Sequence, residues 1–433
     1  MKRVPLTFCL SVFMPIAPSC FADISQNAVD ANAPITLQDY LQRAALDNAG
    51  LRAAFEQWKA AVEGVPQAQA LPDPKFTYGY FIREVETRVG PQRHRFGIRQ
   101  VLPWFGKIEA QTDAAAAAAK AAKSRYEAAK LKLFFEVKDA FYEYVYLARA
   151  VEIARENLEL VKHFEEVARA KYVAAAAGHP DVIRAQVELA KLEDHLRTLE
   201  DFRAPIVARL NAVLNRQSFE MLPWPRNEEL QVVRIDRQQI IETLRQQNPE
   251  LQAMDSEIQS AKSRVNLAKK DFYPDIGVGV DWIQTDGALM PGTPDSGKDP
   301  VILMFSLNLP LWRDRYTAAE QEAVADVSKA FQHKTQAENT LIAQAESTRY
   351  ELDDSARKAR LYGDTLVPKA QELIAVSEEA YKAGKVDFLS LIDAQRMLLE
   401  YRLSYERAVT RNAQKLAQLE MLVGTELSTA PVQ

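Results

Sequence analysis

The polar residues with the most suggestive spacing follow two turns that repeat along the chain. Residues 172–186 and 381–395 align without a gap at one constant offset. Five residues in these segments could supply charge or hydrogen bonds, namely Asp181, Arg184, Asp387, Ser390 and Asp393. Carboxylates or guanidinium groups that line a pore attract ions of one sign and can also pair with neighbouring segments. The suggested chemistry is therefore control of ion passage at a narrow opening.

The same residues also have a structural interpretation as helix caps. Asp181 lies at a predicted helix start and Asp387 just before another, so both suit capping. Asp393 lies one to two turns inside its predicted helix, which favours a role in a pore. Asp181 aligns with Ser390 of the other copy. Arg184 aligns with Asp393, so the two copies present different charges.

The remaining polar residues give no sign of catalysis. The sequence lacks G-x-S-x-G, a phosphate-binding glycine loop and H-E-x-x-H. Its histidines are scattered, at His94, His163, His179, His195 and His333. His163 and Glu166 could share a helix face, but without further ligands nearby they are better explained as a surface pair. We predict that the chain is not an enzyme and holds no cofactor or metal; its net charge of −5 argues against nucleic acid.

The first 22 residues have the pattern of a signal peptide. Lys2 and Arg3 precede an apolar stretch that reaches Ala17, and the small residue Ala22 suits signal peptidase. We therefore predict cleavage after Ala22 and export of the mature chain.

Both cysteines, Cys9 and Cys20, lie inside this predicted signal peptide. The mature chain would then have no disulfide, so packing and assembly must stabilise it. Lipidation at Cys20 is an alternative, although Ala17 and Pro18 do not match the residues that a lipoprotein signal requires.

The rest of the chain is a duplication. Three pairs of landmarks occur in the same order in both halves: 48–51 (NAGL) with 248–251 (NPEL), 71–73 (LPD) with 273–275 (YPD), and 102–104 (LPW) with 309–311 (LPL). The predicted repeats span residues 23–215 and 236–424, joined by a linker at 216–235. Residues 425–433 form a short polar tail that we expect to be unstructured.

Each repeat is predicted to contain three helical stretches. The first covers 37–65 or 238–270, the long one 107–173 or 316–382, and the last 181–215 or 388–424. At 1.5 Å per residue, a stretch of about 65 residues is roughly 100 Å long. The tips 174–180 and 383–387 then reverse the chain between the second and third helices.

A pair of strands separates the first two helices of each repeat, at 75–82 and 93–101 and at 275–283 and 301–309. Apolar and aromatic residues alternate there with polar residues and glycines, which fits a strand between lipid and water. A soluble sheet with one wet face is the alternative. No run of about 18 apolar residues predicts a membrane helix beyond the signal peptide.

The helices carry narrow, alanine-rich apolar stripes with charge on the other faces. This pattern fits the wall of a hollow helical barrel, although an ordinary helix bundle shows stripes as well. Four strands are too few to close a membrane barrel, and open strand edges are costly in lipid. Strands that span a membrane therefore require association, and three copies, as a homotrimer in contact with membrane lipid, would supply twelve strands.

The order of these elements resembles the TolC-like outer-membrane efflux proteins. The residues that carry the resemblance are 248–251, the Pro-Asp strand openers, 309–312 (LPLW), and 381–384 (Y-x-x-G) running into 391–395 (LIDAQ). The stretch 102–107 (LPWFGK) looks like the branch paired with cation-exporting pumps, the CusC and CzcC type.

The resemblance implies a mainly helical trimeric duct with a helical barrel in the periplasm and a twelve-stranded barrel in the outer membrane. Its tips, marked by Tyr172, Gly178, Tyr381 and Gly384, would dock a periplasmic adaptor that connects to an inner-membrane pump of the resistance–nodulation–division class. Asp393 matches a position where the family narrows its entrance with carboxylates.

This chain departs from that pattern at two positions. Ser390 replaces a neighbouring carboxylate, and Ala175 replaces the turn glycine found at Gly384. The alternative function is a periplasmic adaptor with coiled-coil hairpins, which would carry one helical hairpin rather than two. The sequence does not identify the exported substrate.

Overall fold

The computed structural model describes residues 36–225, 233–234, 237–427 and 430–431. The predicted signal peptide and Cys20 lie outside the described residues. The helices are α1 (Leu37–Asp47), α2 (Ala49–Gln69), α3 (Lys107–Val173), α4 (His179–Asp201), α5 (Arg203–Val213), α6 (Arg237–Gln247), α7 (Pro249–Lys270), α8 (Arg313–Arg360), α9 (Val367–Lys382) and α10 (Phe388–Val423). The strands are β1 (Lys75–Val85), β2 (Gln92–Leu102), β3 (Val233–Arg234), β4 (Ile276–Thr285), β5 (Val301–Leu307) and β6 (Ala430–Pro431). None of the helices in this described part combines the length and apolar character that a bilayer crossing requires.

The first helix of each repeat is broken by an asparagine, so the prediction of one continuous helix was wrong in both copies. The Asn48 side chain accepts a hydrogen bond from the Leu51 amide at 2.9 Å and thereby caps α2. Its amide group donates to the Val213 carbonyl at 2.9 Å. Asn248 makes the same two bonds in the second repeat, at 3.0 and 2.8 Å. Each asparagine therefore starts a helix and ties it to the last helix of its own repeat.

The long helix of the second repeat is less regular than predicted. It begins at Arg313 and is interrupted by a π-helical segment at Leu361–Leu366. A Cβ atom at Gly363 would lie 2.8 Å from the Tyr405 ring, so the missing side chain lets α10 pack closely there. The last helix of the first repeat, predicted as one, is likewise divided at Phe202 into α4 and α5.

The two predicted hairpins join into one antiparallel sheet of order β1-β2-β4-β5. Pairing of β2 with β4 connects the repeats, with Gly97 opposite Asp281 and Phe96 opposite Trp282. One face carries contacting aromatic rings, with Phe96 5.2 Å from Tyr78 and 5.3 Å from Trp282 between centroids. These rings are exposed or half-exposed, and the other face carries glycines and charged groups.

The buried side chains form separate clusters along the helices. One cluster in the first repeat centres on Phe141 and Tyr144 of α3, and its counterpart in the second includes Leu352 and Leu419. The helix α3 contacts α2, α7, α4 and α10, so it joins the two repeats along its length. Narrow, separate seams of this kind match the striped sequence pattern.

Two residues of the tail, Ala430 and Pro431, lie in a short strand, where the sequence predicts an unstructured segment. Ala430–Pro431 forms a short antiparallel pair with Val233–Arg234 of the segment between the repeats. The polar composition of the tail does not reveal this pairing.

Candidate functional site

The two tips end their long helices with the same backbone turn. The Ala175 amide bonds the Tyr172 carbonyl at 3.0 Å, and the Gly384 amide bonds the Tyr381 carbonyl at 3.0 Å. Ala175 has a φ of 51° and Gly384 a φ of 70°, both in the left-handed region. Ala175, which stands where Gly384 stands in the second tip, therefore keeps the same turn. Its left-handed backbone conformation carries a strain that glycine avoids.

The tyrosines that align between the copies have opposite environments. Tyr172 is 46% exposed, whereas Tyr381 is 2% exposed. The Tyr381 ring contacts Phe388 at 5.4 Å between centroids, and the Lys171 ammonium lies 4.3 Å from its centre. Lys171 also donates a hydrogen bond to the Tyr381 carbonyl. Tyr381 was expected at a docking surface, but its buried ring instead holds the second tip against the first.

Asp181 does not cap its helix, contrary to the capping interpretation. Gly178 occupies the cap position of α4, and Asp181 lies in the first turn. The Tyr381 hydroxyl donates to Asp181 Oδ2 at 3.4 Å, and Arg184 Nη1 lies 3.4 Å from Asp181 Oδ1. Burial and the nearby Asp181 carboxylate raise the pKa of Tyr381 to about 12. Asp181 therefore connects the first tip to the neutral phenol of the second.

Asp387 does cap its helix. Its Oδ1 accepts from the Ser390 amide at 2.9 Å and from the Ser390 hydroxyl at 2.6 Å. These bonds, with the nearby positive charge of Arg184, hold the pKa of Asp387 below its usual range. The carboxylate is therefore charged and held in place. Ser390 donates hydrogen bonds to it and does not add a second negative charge beside it.

Asp393 is the freest of these carboxylates. Its side chain is 58% exposed and lies 3.6 Å from Arg396 on the same helix. Exposed pairs of this kind contribute little to stability, so the fold does not explain the residue.

A strong ion pair between the hairpins was missed by sequence reasoning. Arg396 Nε donates to Glu188 Oε1 at 3.0 Å, and a second bond joins its Nη2 to Oε2. The Glu188 side chain is only 8% exposed, whereas that of Arg396 is 47% exposed. One signal was available, because Glu188 continues the buried stripe of α4 that includes Val182 and Ala185. A charge in such a stripe needs a partner.

The motifs that flank the sheet meet where the strands join the helices. The Trp104 ring stacks on Tyr273, with centroids 5.3 Å apart and planes 6° apart. Lys107 Nζ lies 2.8 Å from Asp275 Oδ1, which also accepts from the Trp104 amide at 2.9 Å. Burial alone would raise the pKa of Asp275, but the bonds from Lys107 and Trp104 outweigh it and hold that pKa below its usual range. The LPWFGK and YPD segments thus form one polar joint.

No group of three or more His, Cys, Asp or Glu side chains within the described ranges is placed to hold a metal ion. His163 contacts Glu378 of the other hairpin, with Nε2 3.1 Å from Oε1, rather than a set of metal ligands. It is part of the contact between α3 and α9.

These features define a class: a duplicated helical-hairpin protein with paired tips and a small sheet that exposes an aromatic face. A model of the outer membrane efflux protein family matches residues 40–216 and 240–425. The chain belongs to this family and is an efflux channel protein of the outer membrane with a large periplasmic portion. The alternative of a periplasmic adaptor is wrong, because the match covers both repeats.

Individual relatives are distant in sequence but similar throughout their length. The cobalt-zinc-cadmium resistance protein CzcC of Cupriavidus metallidurans is 20% identical over 395 residues, covering 91% of each chain. The solved structure of CusC has a TM-score of 0.77 at 14% identity, covering 92% of this chain and 96% of that one. VceC of Vibrio cholerae has a TM-score of 0.75 at 17% identity, covering 90% and 96%. The prediction of a mainly helical fold with a small antiparallel sheet is confirmed.

Proposed function

We propose that three copies of the chain assemble into a passive duct. The observation that carries the proposal is the sheet, which has β1 and β5 as free edges. In a bilayer each unpaired backbone group costs several kcal/mol, so β5 of one copy must pair with β1 of the next. Four strands from each of three copies close a barrel of twelve. The exposed aromatic face would then contact lipid.

The long helices of the three copies would form the periplasmic wall of the duct. Their apolar side chains form narrow seams against neighbouring helices, which suits a wall one helix thick. The chain then acts by providing a path and performs no reaction.

The helical tips are the proposed docking end for a periplasmic adaptor. Tyr172, Gly178 and Gly384 are exposed there, while Tyr381 supports them from within. Through the adaptor the duct would connect to an inner-membrane pump of the resistance–nodulation–division class. We propose no nucleic-acid partner.

The proposed gate lies just behind these tips. Asp393 is exposed and makes only an exposed pair with Arg396 on the same helix, so three copies would place a ring of carboxylates at the entrance. Asp387 and Ser390 form a fixed polar cap beside it, and Asp181 with Arg184 joins the first tip to the second. In planar bilayers, Asp393→Ala is expected to raise conductance or relieve block by divalent cations. Unchanged conductance and block would leave Asp393 without a gating role.

Metal cations are the proposed cargo. The support is the LPWFGK segment at residues 102–107 and the similarity to CzcC, whose name records cobalt, zinc and cadmium resistance. Deletion of the gene should increase sensitivity to these metals more than to hydrophobic drugs. The opposite order of sensitivities would assign drug export instead.

Disulfide cross-linking tests the assembly directly, because the chain has cysteines only at Cys9 and Cys20. Cysteines introduced together at Tyr78 on β1 and at Leu303 or Phe305 on β5 should give a covalent ladder that ends at three chains. Cysteines at Ile98 on β2 and Leu303 are the matched control, because β4 separates these strands. A correctly folded protein that gives no ladder, or one that extends past three chains, would refute the trimer.

A further inference from the structure

The glycine-bearing face of the sheet carries the arginines of β2. Arg95, Gly97 and Arg99 occupy every second position of β2, so they lie on one face of the sheet, opposite the aromatic rings. Gly97 makes room on this face, since a Cβ atom there would collide with Thr77 and Asp281 side chains. If the aromatic face contacts lipid, this charged face lines the lumen.

Two of the β2 arginines are neutralised by carboxylates. Arg95 Nε donates to Asp281 Oδ2 at 2.7 Å, and Asp281 is buried beneath it. Arg93 lies 2.9 Å from Glu84 and 2.6 Å from Asp286. These arginines therefore add little net charge to the lumen.

The third arginine is placed beside another cation instead. Arg99 of β2 is directly opposite Lys75 of β1, and on its other side the partner in β4 is Gly279. Among the described residues neither Arg99 nor Lys75 has an ion-pair partner, and both are exposed. Asp73, two residues before Lys75, pairs with neither cation, and Asp275 binds Lys107 instead.

Two like charges in directly opposed positions of neighbouring strands destabilise a sheet. Lys75 begins β1 and Arg99 lies near the end of β2, so this pair sits where the sheet adjoins the helices. No described contact within the chain compensates for the repulsion, whereas a mobile anion in the lumen would.

We propose that Lys75 and Arg99 form a basic ring that selects anions at the inner end of the sheet. The inference rests on the proposed trimer, in which two cations from each of three copies give six. Inorganic anions such as chloride, or carboxylate and phosphate groups on larger solutes, are stabilised there. A metal cation passing the ring would then travel with anions. The ring also gives the two ends of the duct opposite charge, because the tips carry Asp387 and Asp393.

The test is the reversal potential of the purified full-length protein in planar bilayers under a KCl gradient. The double variant Lys75→Gln/Arg99→Gln should lower the chloride-to-potassium permeability ratio of the wild-type channel by at least about twofold. Exchanging the two cations, Lys75→Arg/Arg99→Lys, should leave the ratio unchanged. The control Arg95→Gln/Asp281→Asn removes a neutral pair from the same face and should also leave it unchanged.

Two outcomes would count against the ring. Channels of the double variant that keep the wild-type ratio would overturn it. Should the double variant fail to insert, Arg99→Gln alone must still lower the ratio, and no change there overturns the ring. A wild-type protein that forms no channel at all refutes the duct itself, which distinguishes failure of the proposed function from failure of this inference.

Discussion

Removing the Arg396 guanidinium should loosen the two hairpins from each other near the tips. In Arg396→Met the buried Glu188 carboxylate loses both charge-assisted hydrogen bonds that join α10 to α4. If opening the duct separates these helices, the closed state is destabilised more than the open one. We therefore expect the open probability in planar bilayers to rise.

The size of the effect follows from the burial of the two groups. Breaking a fully buried ion pair costs about 3–5 kcal/mol, because one charge is left without a partner. Arg396 is half-exposed and water can reach part of the site, so we take about 2 kcal/mol. Since each 1.4 kcal/mol is a factor of ten, the ratio of open to closed channels should rise by about 30-fold for each copy whose hairpins separate on opening.

A matched control lies on the same helix. Arg411 pairs with Glu351 at 2.7 Å, but this contact joins α10 to α8 within the second repeat. Arg411→Met should change the open probability by less than about twofold. If Arg396→Met behaves like Arg411→Met, the ion pair between the hairpins does not hold the tips closed and the reasoning fails.

Three further predictions concern stability. Ala175→Gly should raise the free energy of unfolding by about 1 kcal/mol, and Gly384→Ala should lower it by a similar amount, because both residues have left-handed backbone conformations. Thermal unfolding that shifts in the same direction for both variants would contradict this. Lys107→Met should lower the free energy of unfolding, measured with denaturant, by about 2–4 kcal/mol, because the partly buried Asp275 carboxylate loses its positive partner. A loss below about 0.5 kcal/mol would show that the ion pair between Lys107 and Asp275 does not stabilise this contact. Burial raises the pKa of Tyr381 to about 12, so the phenol ionises in the unfolded chain before it ionises in the folded chain. The contribution of the neutral phenol to the free energy of unfolding is therefore complete below pH 10 and disappears by about pH 12. Tyr381→Phe should remove this loss of stability between about pH 10 and 12, whereas Tyr172→Phe, at the exposed tyrosine, should not. If the two variants show the same dependence of stability on pH, the loss does not come from Tyr381.

Much of the fold is encoded by local signals that can be read from the sequence. The strands follow Pro-Asp openers and alternate in character, and the tips follow helices that end at a left-handed residue. The break at Asn48 could also have been predicted, because its counterpart Asn248 precedes Pro249, a favoured first residue of a helix. Local backbone chemistry was sufficient at these points.

The contacts between the repeats could not be predicted in this way. Pairing of β2 with β4 depends on groups far apart in the chain, such as Arg95 and Asp281. Alignment also treats Tyr172 and Tyr381 as equivalent, although one is exposed and the other is buried. Their difference arises from packing of one hairpin on the other, and each tyrosine is surrounded by different neighbours. The partner of Glu188 was hidden for the same reason.

The most direct test of the central claim is the conductance of the purified full-length protein in planar bilayers. A duct of three copies predicts long-lived conductance steps of uniform size that reverse with the applied voltage. Cross-linking Tyr78→Cys to Leu303→Cys should leave those steps intact, because the bond only fixes edges that are already paired. Absence of steps from folded protein, or their loss on cross-linking, would contradict the account.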